Sequence, residues 1–346
     1  MNVSLVRDAN GLSLSFVNDG LINSFSHSEH WSFAAGSGTW SKAHQYEFDN
    51  LQGEYSNAFF AFREGSQNYA LFLEDRTYHL AKPSGQDNWT VLGSVQRADE
   101  DSALALRGDD GSVYVVAENP QNFRPEMYRV SPTSGTKFND LSLNFPQLHD
   151  LVYVNKEGKV FLTFDDTFGA GLLVYKQSGN NFAASTAQAC NELYSYSGDF
   201  GFAVDALGRA TILRVECRGA ESDGLWASTE VALGQWTQTL VTPIFDGSGS
   251  DFTSDKLGNL VIAPDGVLHT CFLHIENSNT DQIAVYYGWR AAEPTAPWKI
   301  EKVHTGTDIR ECAINTTADS VPHIIWRRRD DSNSTTPWEY QHLAPN

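Results

Sequence analysis

Helix-period patterning is missing from this 346-residue chain, with no useful stretch repeating apolar residues at three- and four-residue spacing. Helical bundles and alternating α/β folds are thereby excluded. Basic residues are scarce: 24 Lys and Arg stand against 43 Asp and Glu, a formal charge of −19. Such a field disfavours nucleic acid, acidic membrane surfaces and polyanionic glycans, within a screening reach of about 8 Å at physiological salt. The one basic cluster, Arg327-Arg328-Arg329, runs straight into Asp330 and Asp331 and reads as a loop neutralised from within. No apolar run approaches the roughly 20 residues of a membrane-spanning helix. Cofactor and metal motifs are absent too: no H-E-x-x-H, C-x-x-C, EF-hand loop, phosphate loop, dinucleotide fingerprint or G-x-S-x-G elbow occurs. The expectation is a chain without cofactor or metal, and without nucleic-acid or membrane partners.

What the sequence does contain is one repeated sentence. "APDGVLHTCFLHI" turns at Gly266 between two strand-like runs, and Gly supplies the positive φ of a tight hairpin. The same pattern turns at Gly208, Gly158, Gly111, Gly65 and Gly20, and once more at Asp319-Ser320 in place of glycine. The seven copies are spaced by 45 to 58 residues, and a second hairpin follows each. That period suits a four-stranded propeller blade. The fold class read here is therefore all-β, a seven-bladed β-propeller of four-stranded antiparallel blades in a single domain. The blades fall near 10–50, 51–98, 99–148, 149–196, 197–250, 251–306, and 307–346 joined by 1–9. Trp40, Trp89, Trp236 and Trp298 each open or sit in a last strand, where inter-blade packing is their expected role.

The chain ends leave two registers open. In one, "MNVSLVRD" pairs with the last blade and closes the ring, removing two sheet edges. In the other, "RDANGLSLSF" is the first hairpin of blade 1, turning at Gly11, and the last blade lacks a strand. The first is preferred, because blade 1 then aligns strand for strand with blade 2.

Cys190, Cys217, Cys271 and Cys312 lie in neighbouring blades and are expected to pair 190–217 and 271–312, implying an oxidising compartment. Sequons at Asn2, Asn88, Asn315 and Asn333 agree with a secreted glycoprotein. The chain runs straight into strand residues, which reads as a mature secreted protein.

Propeller geometry collects candidate site residues from the loops on one face. Tyr78, His149, His274 and Arg218 are the donors or catalytic candidates; His27, His30, Arg76, Phe168, Phe200, Trp226, Arg310 and Arg328 are the binding candidates. The expected partner is one small apolar or neutral ligand near the axis, a neutral glycan being the alternative. In blade count, secretion features and unequal loops, the plan resembles the secreted fungal propellers that act as hetero-Diels–Alderases in natural-product pathways. The resemblance implies a cofactor-independent cyclase of fungal origin, and it carries no motif from which a catalytic residue could be transferred. Cycloaddition needs an aromatic cavity and a hydrogen-bond donor, and positioning alone can supply up to about 7–11 kcal/mol. A carbohydrate-binding lectin is the alternative, weakened by loops that differ from blade to blade. A propeller polysaccharide lyase or glycosidase is the second alternative, with a His or Tyr base and an Arg neutraliser available in type.

Overall fold

The computed structural model describes residues 3–8, 11–18, 27–47, 59–74, 76–84, 89–96, 104–122, 124–146, 151–166, 171–188, 201–215, 224–244, 256–277, 282–328 and 339–344. These residues contain strands and turns and no helix. They form seven successive antiparallel sheets, the blades of an all-β, seven-bladed propeller. Contacts group the chain into two units, the first residues 1–148 with 156–159 and 177–182, the second the remainder.

The first unit carries three sheets. Sheet 1 holds β1 (Val3–Asp8), β2 (Gly11–Asn18), β3 (His27–Ala34) and β4 (Thr39–Glu47). Sheet 2 holds β5 (Phe59–Glu64), β6 (Gln67–Glu74), β7 (Thr77–Pro83) and β8 (Trp89–Gln96). Sheet 3 holds β9 (Leu104–Arg107), β10 (Val113–Glu118), β11 (Pro125–Val130) and β12 (Phe138–Asp140). Its core joins all three, with Val6, Phe60, Leu71, Tyr78 and Val115 in one cluster.

The second unit carries the other four. Sheet 4 holds β13 (Leu151–Val154), β14 (Val160–Asp166), β15 (Gly171–Ser178) and β16 (Asn181–Gln188). Sheet 5 holds β17 (Gly201–Val204), β18 (Ala210–Val215), β19 (Leu225–Ala232) and β20 (Gln235–Thr242). Sheet 6 holds β21 (Lys256–Ile262), β22 (Leu268–Asn277), β23 (Gln282–Arg290) and β24 (Lys299–Thr307). Sheet 7 holds β25 (Ile309–Thr316), β26 (Pro322–Arg328) and β27 (Glu339–Leu343).

Position within a sheet explains the sequence of each strand. β10 and β17 are buried on both faces and read as near-continuous apolar runs, whereas the outer β8 and β24 are mostly exposed or half-buried and mix in polar residues. The first-to-second-strand turns fall where the repeat predicts, with positive φ at Gly65, Gly111, Gly158, Gly208 and Gly266. Ser320 takes the glycine's place in sheet 7, at φ 67°. Among the tryptophans, Trp236 packs between sheets 4 and 5, and Trp298 between sheets 5 and 6. Trp40 and Trp89 lie against Phe33 and Phe72 of their own sheets, at 5.2 and 5.9 Å.

The preferred closure is overturned. β1 pairs with β2 from Val3↔Phe16 to Asp8↔Gly11, and sheet 7 has three described strands. Blade 1 therefore includes residues 3–8, and its turn is at Gly11, not Gly20. The local pairing has the smaller loop to close. Ser13 donates to the Asp8 carboxylate at 2.9 Å across the hairpin, and Val6 reaches the core formed with sheet 2.

Cys271 and Cys312 are joined as expected, with Cα atoms 6.3 Å apart, tying sheet 6 to sheet 7. Cys190 and Cys217 lie outside the described residues, as do the sequons' Asn2, Asn88 and Asn333. Asn315 sits half-buried in β25, beside Thr316 and Thr317, which are both buried.

Candidate functional site

The alternation of β22 places Phe272, His274 and Glu276 on one face of sheet 6, toward the strand's far end. Register sets Tyr286 of β23 opposite Phe272 on one side and Lys302 of β24 on the other. The rings of Phe272 and Tyr286 stack at 5.2 Å, and His274 meets Tyr286 edge-on at 6.2 Å. Glu276 accepts from the Tyr286 hydroxyl at 3.4 Å and from the Lys302 ammonium. Lys302 also lies 5.9 Å from the centre of the Tyr286 ring. Burial, reinforced by Glu276, raises the Tyr286 phenol above its usual range despite the opposing pull of Lys302. The Lys302 hydrogen bond holds the Glu276 carboxyl low, and the same bond raises the Lys302 ammonium. The group thus offers an imidazole, a phenol that keeps its proton, and a cation, all within one rim.

Sheet 7 carries a second polar row. Register aligns Glu311, Arg327 and Tyr340 across its three strands. Arg327 bonds Glu311 at 2.9 Å, Arg328 bonds Glu339 at 3.1 Å, and Arg310 pairs with Asp308. Asp330 and Asp331, expected to neutralise the arginine run, lie outside the described residues, and Arg327 and Arg328 belong to β26 and not to a loop. Their partners come from neighbouring strands, because cross-strand register sets the pairing. His304 stacks on Trp326 at 5.0 Å, and burial, with the Arg328 charge, lowers its pKa.

Of the predicted residues, His274 stands at the centre of the sheet 6 rim. Arg310 is half-buried and Arg328 exposed, both in the sheet 7 row. Trp226 is half-buried and lies opposite the buried Arg214 across β18 and β19. In the first unit, Arg76 is exposed at φ 60°, in the turn between β6 and β7. Tyr78 and His30 are both 0% exposed, which puts them inside their unit instead of on a solvent-facing rim. Each sits at a strand position whose side chain faces inward, where a loop reading had expected the rim. His27 opens β3 opposite Asn18 and Glu47. His149, Phe168, Phe200 and Arg218 lie outside the described residues. Sequence reading missed Tyr286, Glu276 and Lys302. The alternation in "CFLHIE" and "AVYYGW" carried the signal for the first two, but their meeting depends on cross-strand register. Among the described residues, no group of three or more His, Cys, Asp or Glu side chains could hold a metal.

No family model matches the chain, and no curated protein does. Solved structures do. A PL25 ulvan lyase bound to -[GlcA(1-4)Rha3S]- is similar at TM-score 0.57 and 11% identity, over 93% of this chain and 90% of that one. The polysaccharide lyase Uly1 is similar at TM-score 0.58 and 8% identity, over 99% of this chain and 89% of that one. The periplasmic gluconolactonase PpgL of Pseudomonas aeruginosa follows at TM-score 0.50 and 12% identity, covering 88% and 85%. At these identities the likeness shows a shared fold.

Proposed function

We propose that this chain is a carbohydrate-active propeller, a polysaccharide lyase that cleaves a uronate-containing polymer by β-elimination. The observation that carries the reading is the His274–Tyr286–Glu276–Lys302 rim, borne on a fold shared along nearly the whole chain with two polysaccharide lyases. In the reaction, His274 takes the proton at C5 of the uronate. The C4–O bond breaks, the electron pair forms the C4=C5 double bond, and Tyr286 gives its proton to the departing oxygen. A phenol kept protonated by burial suits that donor role. Lys302 offsets the charge that builds on the uronate carboxylate as the C5 proton leaves, a local cation acting within the screening length where the net charge of −19 would otherwise disfavour a polyanion. The Cys271–Cys312 bridge supports an oxidising compartment for this activity. The cyclase reading rests on blade count, secretion features and unequal loops, and none of the structural neighbours named above is a cyclase.

The test is incubation with a glucuronate–rhamnose sulfate polymer, followed by the ultraviolet absorbance of the unsaturated uronate. Wild type should produce it. His274→Ala and Tyr286→Phe should each lower kcat by about 100-fold or more, as for loss of a general base or acid, with melting temperatures near that of wild type. Full activity in both variants would remove the assignment.

A further inference from the structure

The opposite end of sheet 6 holds a buried cation that has no anion among the described residues. Arg290, the last residue of β23, is 1% exposed. Its Nη1 donates to the Thr229 hydroxyl of sheet 5 at 2.9 Å and to the Pro294 carbonyl at 3.0 Å, and its guanidinium lies 5.3 Å from the centre of the Trp298 ring. Its Nε is buried without a hydrogen-bond partner, and so is the indole Nε1 of Trp298. A buried guanidinium is ordinarily paired, because removing its charge from water costs several kcal/mol.

The neighbouring acids are engaged elsewhere. Glu230, fully buried, takes Lys176 and the Gly234 amide. Asp205 takes the Arg209 Nε at 2.7 Å. Glu293, in the turn that supplies Pro294, accepts from Thr295 at 3.4 Å. Lys176 is paired with Glu230 and Arg209 with Asp205, and among the described residues no carboxylate lies within ion-pair distance of Arg290. Arg209 adds repulsion to the burial that lowers the Arg290 pKa to about 10.

We propose that Arg290 and Trp298 form a binding site for a small oxyanion, a carboxylate or sulfate group, between sheets 5 and 6. A guanidinium fork matches either oxyanion in geometry and charge. The open Nε and indole N–H would each gain an acceptor. The site lies about 20 Å along β22 from His274, since Arg290 pairs with Leu268, six residues from His274. It is therefore separate from the proposed lyase rim and does not depend on that reading.

Calorimetry with sodium sulfate and with sodium acetate, against sodium chloride at matched ionic strength, tests it. Wild type should bind one sulfate or acetate per chain, saturably, and the preferred salt tells a sulfate ester from a carboxylate ligand. Arg290→Met should weaken that binding at least about tenfold, the loss expected of one charge-assisted hydrogen bond. Trp298→Phe, which keeps an aromatic face and removes the N–H, should weaken it less and guards against a misfolded arginine variant. Sulfate also stabilises folded proteins by exclusion. Equal responses of wild type, Arg290→Met and Trp298→Phe, or no saturable heat, would overturn the site.

Discussion

Two seams of the second unit solve the same packing problem in opposite ways. Between sheets 6 and 7, side-chain amide bonds and a disulfide tie the strands, although the Trp326 indole N–H and the His304 Nε2 that meet there are buried without a hydrogen-bond partner. β21 loses register between Leu257 and Leu260, and Asn259 then uses its amide to grip both backbone groups of Ile314, each at 2.8 Å. The Cys271–Cys312 bridge lies beside it, and a Cβ on Gly258 would come within 2.6 Å of one sulfur and 2.7 Å of the Cys312 carbonyl oxygen. Between sheets 5 and 6, Leu225, Leu257, Phe272 and Trp298 pack just as well, yet Arg290 is left with an open donor. Both seams leave buried polar atoms open, and they differ in kind: neutral ring nitrogens at one, a guanidinium Nε beside an indole N–H at the other. One seam is held by a covalent bridge, and the other buries a cation.

The largest way to break the contrast is acid. Burial depresses His269 and His323 to about 4, and lowers His342 as well. His269 bonds the Tyr287 hydroxyl at 2.8 Å, and His323 meets His342 at 2.8 Å between ring nitrogens. Below pH 6.5 the unfolded chain binds protons at these histidines while the folded chain holds His269 and His323 neutral down to about pH 4. Stability is therefore lost as pH falls through that window. Thermal melts in a pH series should show the decline, and His323→Gln should flatten it.

Next in size is the bridge. Its ends are 41 residues apart, a loop whose closure is worth about 4 kcal/mol in the unfolded state. Cys271→Ser with Cys312→Ser should lower stability toward that amount in denaturant unfolding. Gly258→Ala should cost about 1–3 kcal/mol, because the methyl group has no space beside the sulfurs and the Cys312 carbonyl. The smallest effect belongs to the other seam. Arg290→Met, in buffer without sulfate or carboxylate, should change stability by about 1 kcal/mol or less, because relief of the cation's desolvation cost offsets the loss of its two hydrogen bonds and its contact with the Trp298 ring.

Much of the architecture could be read from the chain because hairpin chemistry is local. Glycines at 65, 111, 158, 208 and 266 mark turns that need positive φ, and Ser320 kept the position legible without glycine. Blade 1 is ambiguous in sequence because Gly11 and Gly20 both satisfy the period, and only pairing energy chooses between them. The rim was half visible. His274 stood out by residue type, but Tyr286 and Lys302 join it through a register that local sequence does not fix. Tyr78 showed the converse, a polar tip at a strand position that the fold turns inward.

Elimination at the His274 rim is tested most directly by mass spectrometry of the oligosaccharides released from a glucuronate–rhamnose sulfate polymer. The account predicts new non-reducing ends lighter by one water than those of hydrolysis, absent with His274→Ala. Fully hydrated ends, or no cleavage of any uronate polymer by wild type, would contradict it.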